Sequence, residues 1–193
     1  MRFDGVEIRV VHSRRRTISL EITPQGEPLV RAPMRYPEWR ILDFLEQHRS
    51  WLEKHLNRKR EQLRQAAGLP PLTKAELHHL AEQALPDMKK RTESFAKRLG
   101  VTYGRITIRS QLTRWGSCSS AGNLSYNCLL MLAPPEVRDY IAVHELCHRL
   151  EMNHSPRFWA LVAGIFPDYR LREEWLKREG PAHLARLRRL EQK

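Results

Sequence analysis

The sequence predicts an α+β fold, in which a short β-hairpin and a helical segment precede a small antiparallel sheet and a central helix. Three features predict it. Apolar residues alternate with polar ones at Ile18, Leu20 and Ile22, and again from Leu124 to Leu132, which is the period of a half-buried strand. Apolar stripes of helical period follow Pro37 and Pro135. Between them, Gly68-Leu69-Pro70-Pro71-Leu72 is the best linker, dividing the chain into a hairpin-plus-helix region over residues 1–67 and a larger core over 68–193.

Residues 6–32 read as a hairpin that turns at Pro24-Gln25-Gly26 and returns through Leu29-Val30. From Pro37-Glu38-Trp39 a helix places Ile41, Leu42, Leu45, Trp51, Leu52 and Leu56 on one stripe, with an interruption expected near Ser50. Its charged end, Lys54 to Arg64, reads as solvated. Thr73 and Glu76 have the spacing of a capping box for a helix reaching Leu99-Gly100, kinked at Pro86. Residues 104–132 read as a β-meander. Ile106 and Ile108 alternate with Thr107 and Arg109, Ala121-Gly122-Asn123 turns, and Leu124, Tyr126, Cys128, Leu130 and Leu132 line one face of a longer strand. Pro135 suits the first turn of a helix over 135–152. Ser155 and Pro156 read as N-cap and first residue of a helix ending at Phe166, and a last charged helix starts near Asp168.

A chain of 193 residues suits one domain with a small appendage, and 41% hydrophobic against 29% charged residues excludes a disordered chain. No apolar run approaches the roughly 18 residues of a membrane span, and Met1 to Gly5 lack the apolar core of a secretory signal, so the expected compartment is the cytoplasm, with no membrane partner. Cys118, Cys128 and Cys147 are too few and odd in number for a disulfide framework. The net charge of +12 invites an acidic partner such as nucleic acid. The excess is spread, +5 over residues 1–66, +4 over 67–110 and +3 over 111–193, which equally fits a solvated basic surface.

His144-Glu145-Leu146-Cys147-His148 is the decisive motif. Residues four apart share a helix face, so two imidazoles there can grip one zinc ion while the intervening glutamate reaches a water beside it. His154 follows six residues later and supplies a third ligand, leaving the fourth zinc position open, as catalytic sites do. The flanking Tyr140, Ile141, Ala142, Val143, Leu146 and Leu150 make this helix buried on most sides. Two histidines and a glutamate there would be costly if unpaired, and one bound metal explains all three. Three imidazoles favour zinc, one per chain. The spacing matches that of metzincins, but Glu151 stands where those enzymes need glycine, so the helix must break near Met152-Asn153 with asparagine in left-handed geometry.

With these residues in view, the chain resembles the YgjP-like metallopeptidases, a family related to SprT-like and WLM proteases, over roughly residues 14–180. The resemblance is strongest from Val143 to Trp159, and extends to Arg114-Trp115-Gly116-Ser117-Cys118-Ser119, to Gly122-Asn123-Leu124-Ser125-Tyr126-Asn127 and to the arginine-rich hairpin ending at Ala32-Pro33. It implies a zincin-like fold, His144, His148 and His154 as metal ligands, Glu145 as catalytic base, and a peptide or protein substrate.

On this reading Glu145 takes a proton from the attacking water and hands it to the leaving amine. Tyr169 and Arg157 are candidates for steadying the oxyanion. The strand from Asn123 to Cys128, expected at the sheet edge, offers Asn123, Ser125 and Asn127 to an extended substrate, unless it is an ordinary structural strand. Cys118 is either an inhibitory fourth ligand or, as free cysteines commonly are, packed in the core. A different class of function also stands: a nucleic-acid-binding module with structural zinc, whose Arg14, Arg15 and Arg16 hold phosphates. The two coexist if a basic peptidase is recruited to nucleic acid, as SprT-like relatives act on DNA-attached proteins.

Overall fold

The computed structural model describes residues 1–191, which divide after Gly68 into two units. In the first, strands β1 (Arg2–Phe3) and β2 (Val6–Glu7) pair antiparallel across a turn where Asp4 and Gly5 take φ of 48° and 73°. Strands β3 (Arg9–Ser13), β4 (Ser19–Ile22) and β5 (Pro28–Pro33) form a sheet in the order β3-β5-β4. The expected hairpin is β4 with β5, antiparallel, Leu20 opposite Val30. The hairpin reading missed β3, which lies parallel to β5 on its other side. The burial of Leu29, Val30 and Ala32 is what a central strand requires.

Helices α1 (Glu38–Gln47) and α2 (Arg49–Gly68) are separated at His48, two residues before the expected interruption. The His48 amide bonds Phe44 O and Leu45 O, and its ring Nδ1 donates to Phe44 O. Ile8, Val30, Ala32, Ile41, Leu45, Leu52 and Leu56 make the core of this unit.

The second unit begins with the long helix α3 (Lys74–Leu99). Thr73 and Glu76 form the capping box reciprocally: Glu76 N donates to Thr73 Oγ1 at 3.1 Å and Thr73 N to Glu76 Oε2 at 2.7 Å. Strands β6 (Ile106–Arg109), β7 (Gly116–Cys118) and β8 (Leu124–Asn127) follow, in the order β6-β8-β7. This corrects the expected antiparallel meander: β8 is central, antiparallel to β7 and parallel to β6.

The apolar alternation running to Leu132 also does not continue as strand. Asn127 Oδ1 accepts from Leu129 N at 3.1 Å, an Asx-type bond that turns the chain into a 3-10 helix over Cys128–Leu132. Cys128, Leu129 and Leu130 are all buried there, so the apolar run packs on several sides rather than on one face.

Four helices complete the unit: α4 (Pro135–Cys147), α5 (Pro156–Ile165), α6 (Tyr169–Arg178) and α7 (Gly180–Glu191). Ser155 caps α5 as expected, accepting from Phe158 N at 3.3 Å. The single charged helix expected after Asp168 is two. α4 is almost wholly sheathed: Val137, Tyr140, Ile141, Ala142, Val143, Leu146 and Cys147 are buried, packed with Met88 and Phe95 of α3 and with Leu124 and Tyr126 of β8. Arg91 of α3 fixes its start, donating to Asp87 at 2.8 Å, to Asp139 and to Pro135 O at 3.2 Å. No helix of the described residues is long and apolar enough to cross a membrane.

Asn127 is the polar hub of this sheet. It is 1% exposed, and its Nδ2 donates to Gln111 O and Arg114 O at 2.7 and 2.8 Å. Asn127→Ala leaves two carbonyls and one amide without partners, and urea unfolding is expected to show a loss of roughly 2–4 kcal/mol.

Candidate metal centre

The last turn of α4 carries His144 and Glu145, and His148 is its C-cap. The helix therefore stops at Cys147 rather than at 152. Arg149 N and Leu150 N bond back three residues, to Leu146 O at 2.9 Å and Cys147 O at 3.0 Å, which tightens and ends it. Asn153 is not left-handed, since Asp4 is the one non-glycine residue with positive φ among those described. The reversal is instead held by side chains. Arg149 Nε donates to Thr102 O at 3.0 Å and Nη1 to Ser120 O at 3.2 Å. Gly122, at φ 81°, gives this guanidinium its place, because a Cβ there would stand 2.8 Å from Arg149 Cζ. His148 Nδ1 bonds Glu151 O at 3.1 Å. A carbonyl only accepts, so the ring proton sits on Nδ1 and the Nε2 lone pair is left for a metal.

The reversal brings the His154 ring within 5.0 Å of His144 and 4.8 Å of His148, centroid to centroid. One nitrogen from each of the three lies within 4.8 Å of the other two, and His144 Nε2 faces His154 Nε2 at 3.0 Å. Burial, reinforced by His148 and His154, drives the His144 pKa down to about 3, and burial also lowers that of His148. His144 and His148 are thus held neutral, the state that binds a metal. His144 Nδ1 is buried without a partner. Three imidazole nitrogens converging beside an apolar wall are a donor set suited to zinc with an open position.

The wall comes from α5. Phe158, fully buried, stands 4.9, 4.6 and 4.8 Å from the rings of His144, His148 and His154. Trp159 lies 5.9 Å from His144 and 5.8 Å from His154, and stacks on Tyr169 at 5.1 Å. Tyr169 in turn stacks on Tyr140 at 6.4 Å, and burial holds the Tyr140 hydroxyl protonated. Arg157, the other residue considered for an oxyanion, is exposed on the first turn of α5.

Glu145 is 4% exposed, and burial raises its pKa to about 8 against the opposing charge of Arg114. What lies over its carboxyl is the backbone of β7. A Cβ on Gly116 would fall 2.6 Å from Glu145 Oε1 and 2.8 Å from Cγ, so only glycine lets strand and carboxyl approach this closely. The neighbouring Trp115 anchors the strand: a Cβ on Gly180 would meet its ring at 2.9 Å, and its carbonyl accepts from Asn127 N at 2.9 Å. Trp115 and Gly116 therefore position the carboxyl, a role that their pattern in the sequence did not disclose. Cys118 is half-buried, its Sγ donates to Ser119 O at 3.4 Å, its thiol is pushed up by burial, and the candidate ligand cluster does not include it.

The expected substrate strand needs correction. β8 has β6 on one side and β7 on the other, so Asn123, Ser125 and Asn127 offer no open edge. Asn123 Oδ1 accepts from Arg105 N at 3.0 Å, Ser125 Oγ is buried, and Asn127 is committed to its three bonds. In the first unit, Arg14 and Arg16 are exposed between β3 and β4, while Arg15 Nη1 donates to Ser19 Oγ at 2.9 Å.

A buried carboxyl with a raised pKa opposes folding once it must ionise. Between about 4.5 and about 8 the native state holds a proton that the unfolded chain has lost, so stability falls as pH rises through that window. In chelator, Glu145→Gln should remove this slope, about 1.4 kcal/mol per pH unit at most, and unfold at higher temperature than wild type at pH 8.

Comparison with known proteins identifies the family. No curated protein matches the chain. Among solved structures it is similar to the metallopeptidase zymogen abylysin of Pyrococcus abyssi, 23% identical over 46% of this chain and 90% of that one, with a TM-score of 0.43. It is also similar to the metallopeptidase zymogen jannalysin of Methanocaldococcus jannaschii, 24% identical over 47% and 86%, with a TM-score of 0.41. A family model for the YgjP-like metallopeptidase domain matches residues 16–79 and 72–179. That match takes in α4, the reversal after it and the strand over Glu145, and with it the chain belongs to the YgjP-like metallopeptidases.

Proposed function

We propose that this zinc metallopeptidase holds one zinc ion per chain through His144, His148 and His154 and hydrolyses peptide bonds with Glu145 as general base, in a zincin-like arrangement. The observation that carries the reading is the convergence of three imidazoles beside one buried carboxyl, all from an eleven-residue stretch. When bound, zinc supplies a Lewis acid that polarises the scissile carbonyl and makes a water acidic. Glu145 removes the proton from the attacking water and delivers it to the leaving amine. Its burial strengthens that exchange by excluding competing solvent.

The edge strand beside the carboxyl is β7, whose one partner among the described strands is β8. An extended substrate adds antiparallel or parallel to its open side and so lays a peptide group next to Gly116 and Glu145. Trp159 and Tyr169 give the adjacent wall an aromatic surface for substrate side chains. Recruitment to nucleic acid is not part of this reading: of the arginine run, Arg15 donates to Ser19 Oγ while Arg14 and Arg16 are exposed.

Elemental analysis of purified protein should find about one zinc per chain, and His154→Ala should lose most of it. Glu145→Gln should keep the zinc and lower kcat for peptide cleavage by roughly 10²–10⁴. A variant that keeps both full cleavage and zinc overturns the assignment. Gly116→Ala, which pushes a methyl group against the carboxyl, should retain zinc and lower kcat/KM by roughly tenfold or more, since small displacements of a catalytic group are costly.

A further inference from the structure

The sheet of the second unit has a second open edge, β6, on the side away from β7. Beside it lies a groove of about 580 Å³ that continues into another of about 460 Å³, the two sharing Ala81, Ile108 and Arg109. One wall is α3, presenting Leu77, Ala81 and Leu85 at successive turns; Leu85 is 46% exposed. The other wall is the strand itself.

The ladder fixes which backbone groups are available. Leu124 N donates to Arg105 O at 2.9 Å, and Ile106 lies opposite Leu124 in the parallel register. In such a ladder alternate residues face the same neighbour, so Thr107 and Arg109 turn their amides and carbonyls toward β8. Ile106 and Ile108 turn theirs to the open edge. Their side chains, meanwhile, pack inward on the core that α3 shares. Arg105, Thr107 and Arg109 project from the opposite face, since successive residues of a strand alternate. Arg105 and Arg109 are exposed, as is Lys74 at the end of the groove, and among the described residues no acidic side chain is within ion-pair distance of any of the three. Of the carboxylates on the nearby helix turns, Glu76 is held in the capping box and Glu82 is paired with His78 of the groove wall.

We infer that this edge and groove form a docking site for an extended peptide segment in which acidic and apolar residues alternate. A strand added to β6 bonds the outward groups of Ile106 and Ile108. Its residues on the α3 side meet Leu77, Ala81 and Leu85, and its residues on the other side meet Arg105 and Arg109. Four residues of strand span about 13 Å, room for a segment of four to five residues. A polynucleotide would use the same cations, but the one ring among the described residues that line the groove, His78, is paired with Glu82, and the open backbone groups of a strand edge match a peptide rather than a base. The site is separate from the three histidines and shares no residue with them.

The test is fluorescence anisotropy of the full chain with a fluorescein-labelled heptapeptide alternating valine and aspartate, in chelator and in zinc. The expected result is saturable binding that is the same in both, weakens as salt rises, and falls by about tenfold or more in the Arg105→Glu/Arg109→Glu double variant, because charge-assisted contacts are lost and repulsion replaces them. Leu85→Glu, which leaves both arginines in place, should weaken it similarly through the other wall. Equal binding of a valine–asparagine heptapeptide, unchanged affinity in both variants, loss of binding in chelator, or displacement by oligothymidylate at lower concentration than by unlabelled peptide would each overturn the proposal.

Discussion

Burial of the Glu145 carboxyl sets the terms for the rest of the second unit. A carboxyl that is 4% exposed resists ionising, and the chain surrounds it with elements whose positions are mutually dependent. α4 must be central to carry it, so α4 is packed between α3, the sheet and α5. The strand above it must come within contact distance of Oε1, so residue 116 has no side chain. That strand must not drift, so Trp115 is wedged against Gly180 and its carbonyl is bonded to Asn127. Asn127 in turn is tied to Gln111, Arg114 and Leu129. A line of specific contacts thus runs from the start of α7 through the sheet to the carboxyl.

The metal-type cluster was legible in the sequence because it is local. Residues 144 and 148 share a helix face by period alone, and 154 is near enough that one reversal returns it. The caps at Thr73 and Ser155 were legible for the same reason: each depends on a side chain and an amide three residues away. Legibility fails where a residue's role depends on distant partners. Gly116 stands in the sequence only as part of the Arg114–Ser119 stretch, with no partner in view until Glu145, twenty-nine residues on, is placed beneath it. Arg149 has no assigned role in the sequence until Thr102 and Ser120 are brought to it.

The two errors in the sheet have distinct physical origins. Alternation from Leu124 to Leu132 is the right pattern for a strand, but Asn127 competes locally for the Leu129 amide and wins, since its side chain sits at the strand end where the ladder has no further bond to give. Strand order, by contrast, is not encoded in alternation at all. A four-residue strand that is half-buried looks the same at an edge as in the centre, and only the packing of β6 and β7 on either side decides that β8 is enclosed. The helix end was misplaced for a further reason: no glycine marks it, and the chain turns through bonds made by the His148 ring and the Arg149 guanidinium instead of a left-handed residue.

The separation in chain length between the imidazoles and the strand over Glu145 has a consequence for the order of assembly. Bringing His144, His148 and His154 together closes a loop of only ten residues that starts in the last turn of α4, so its entropic cost is small. Seating Gly116 over the carboxyl requires β6, β7 and β8 to have joined, with contacts that span from Trp115 to Gly180. Gathering the three imidazoles thus costs less chain entropy than seating Gly116 over Glu145. On the reading proposed above, a chain whose imidazoles are gathered but whose sheet is not yet joined has no seated base, and so cannot cut itself.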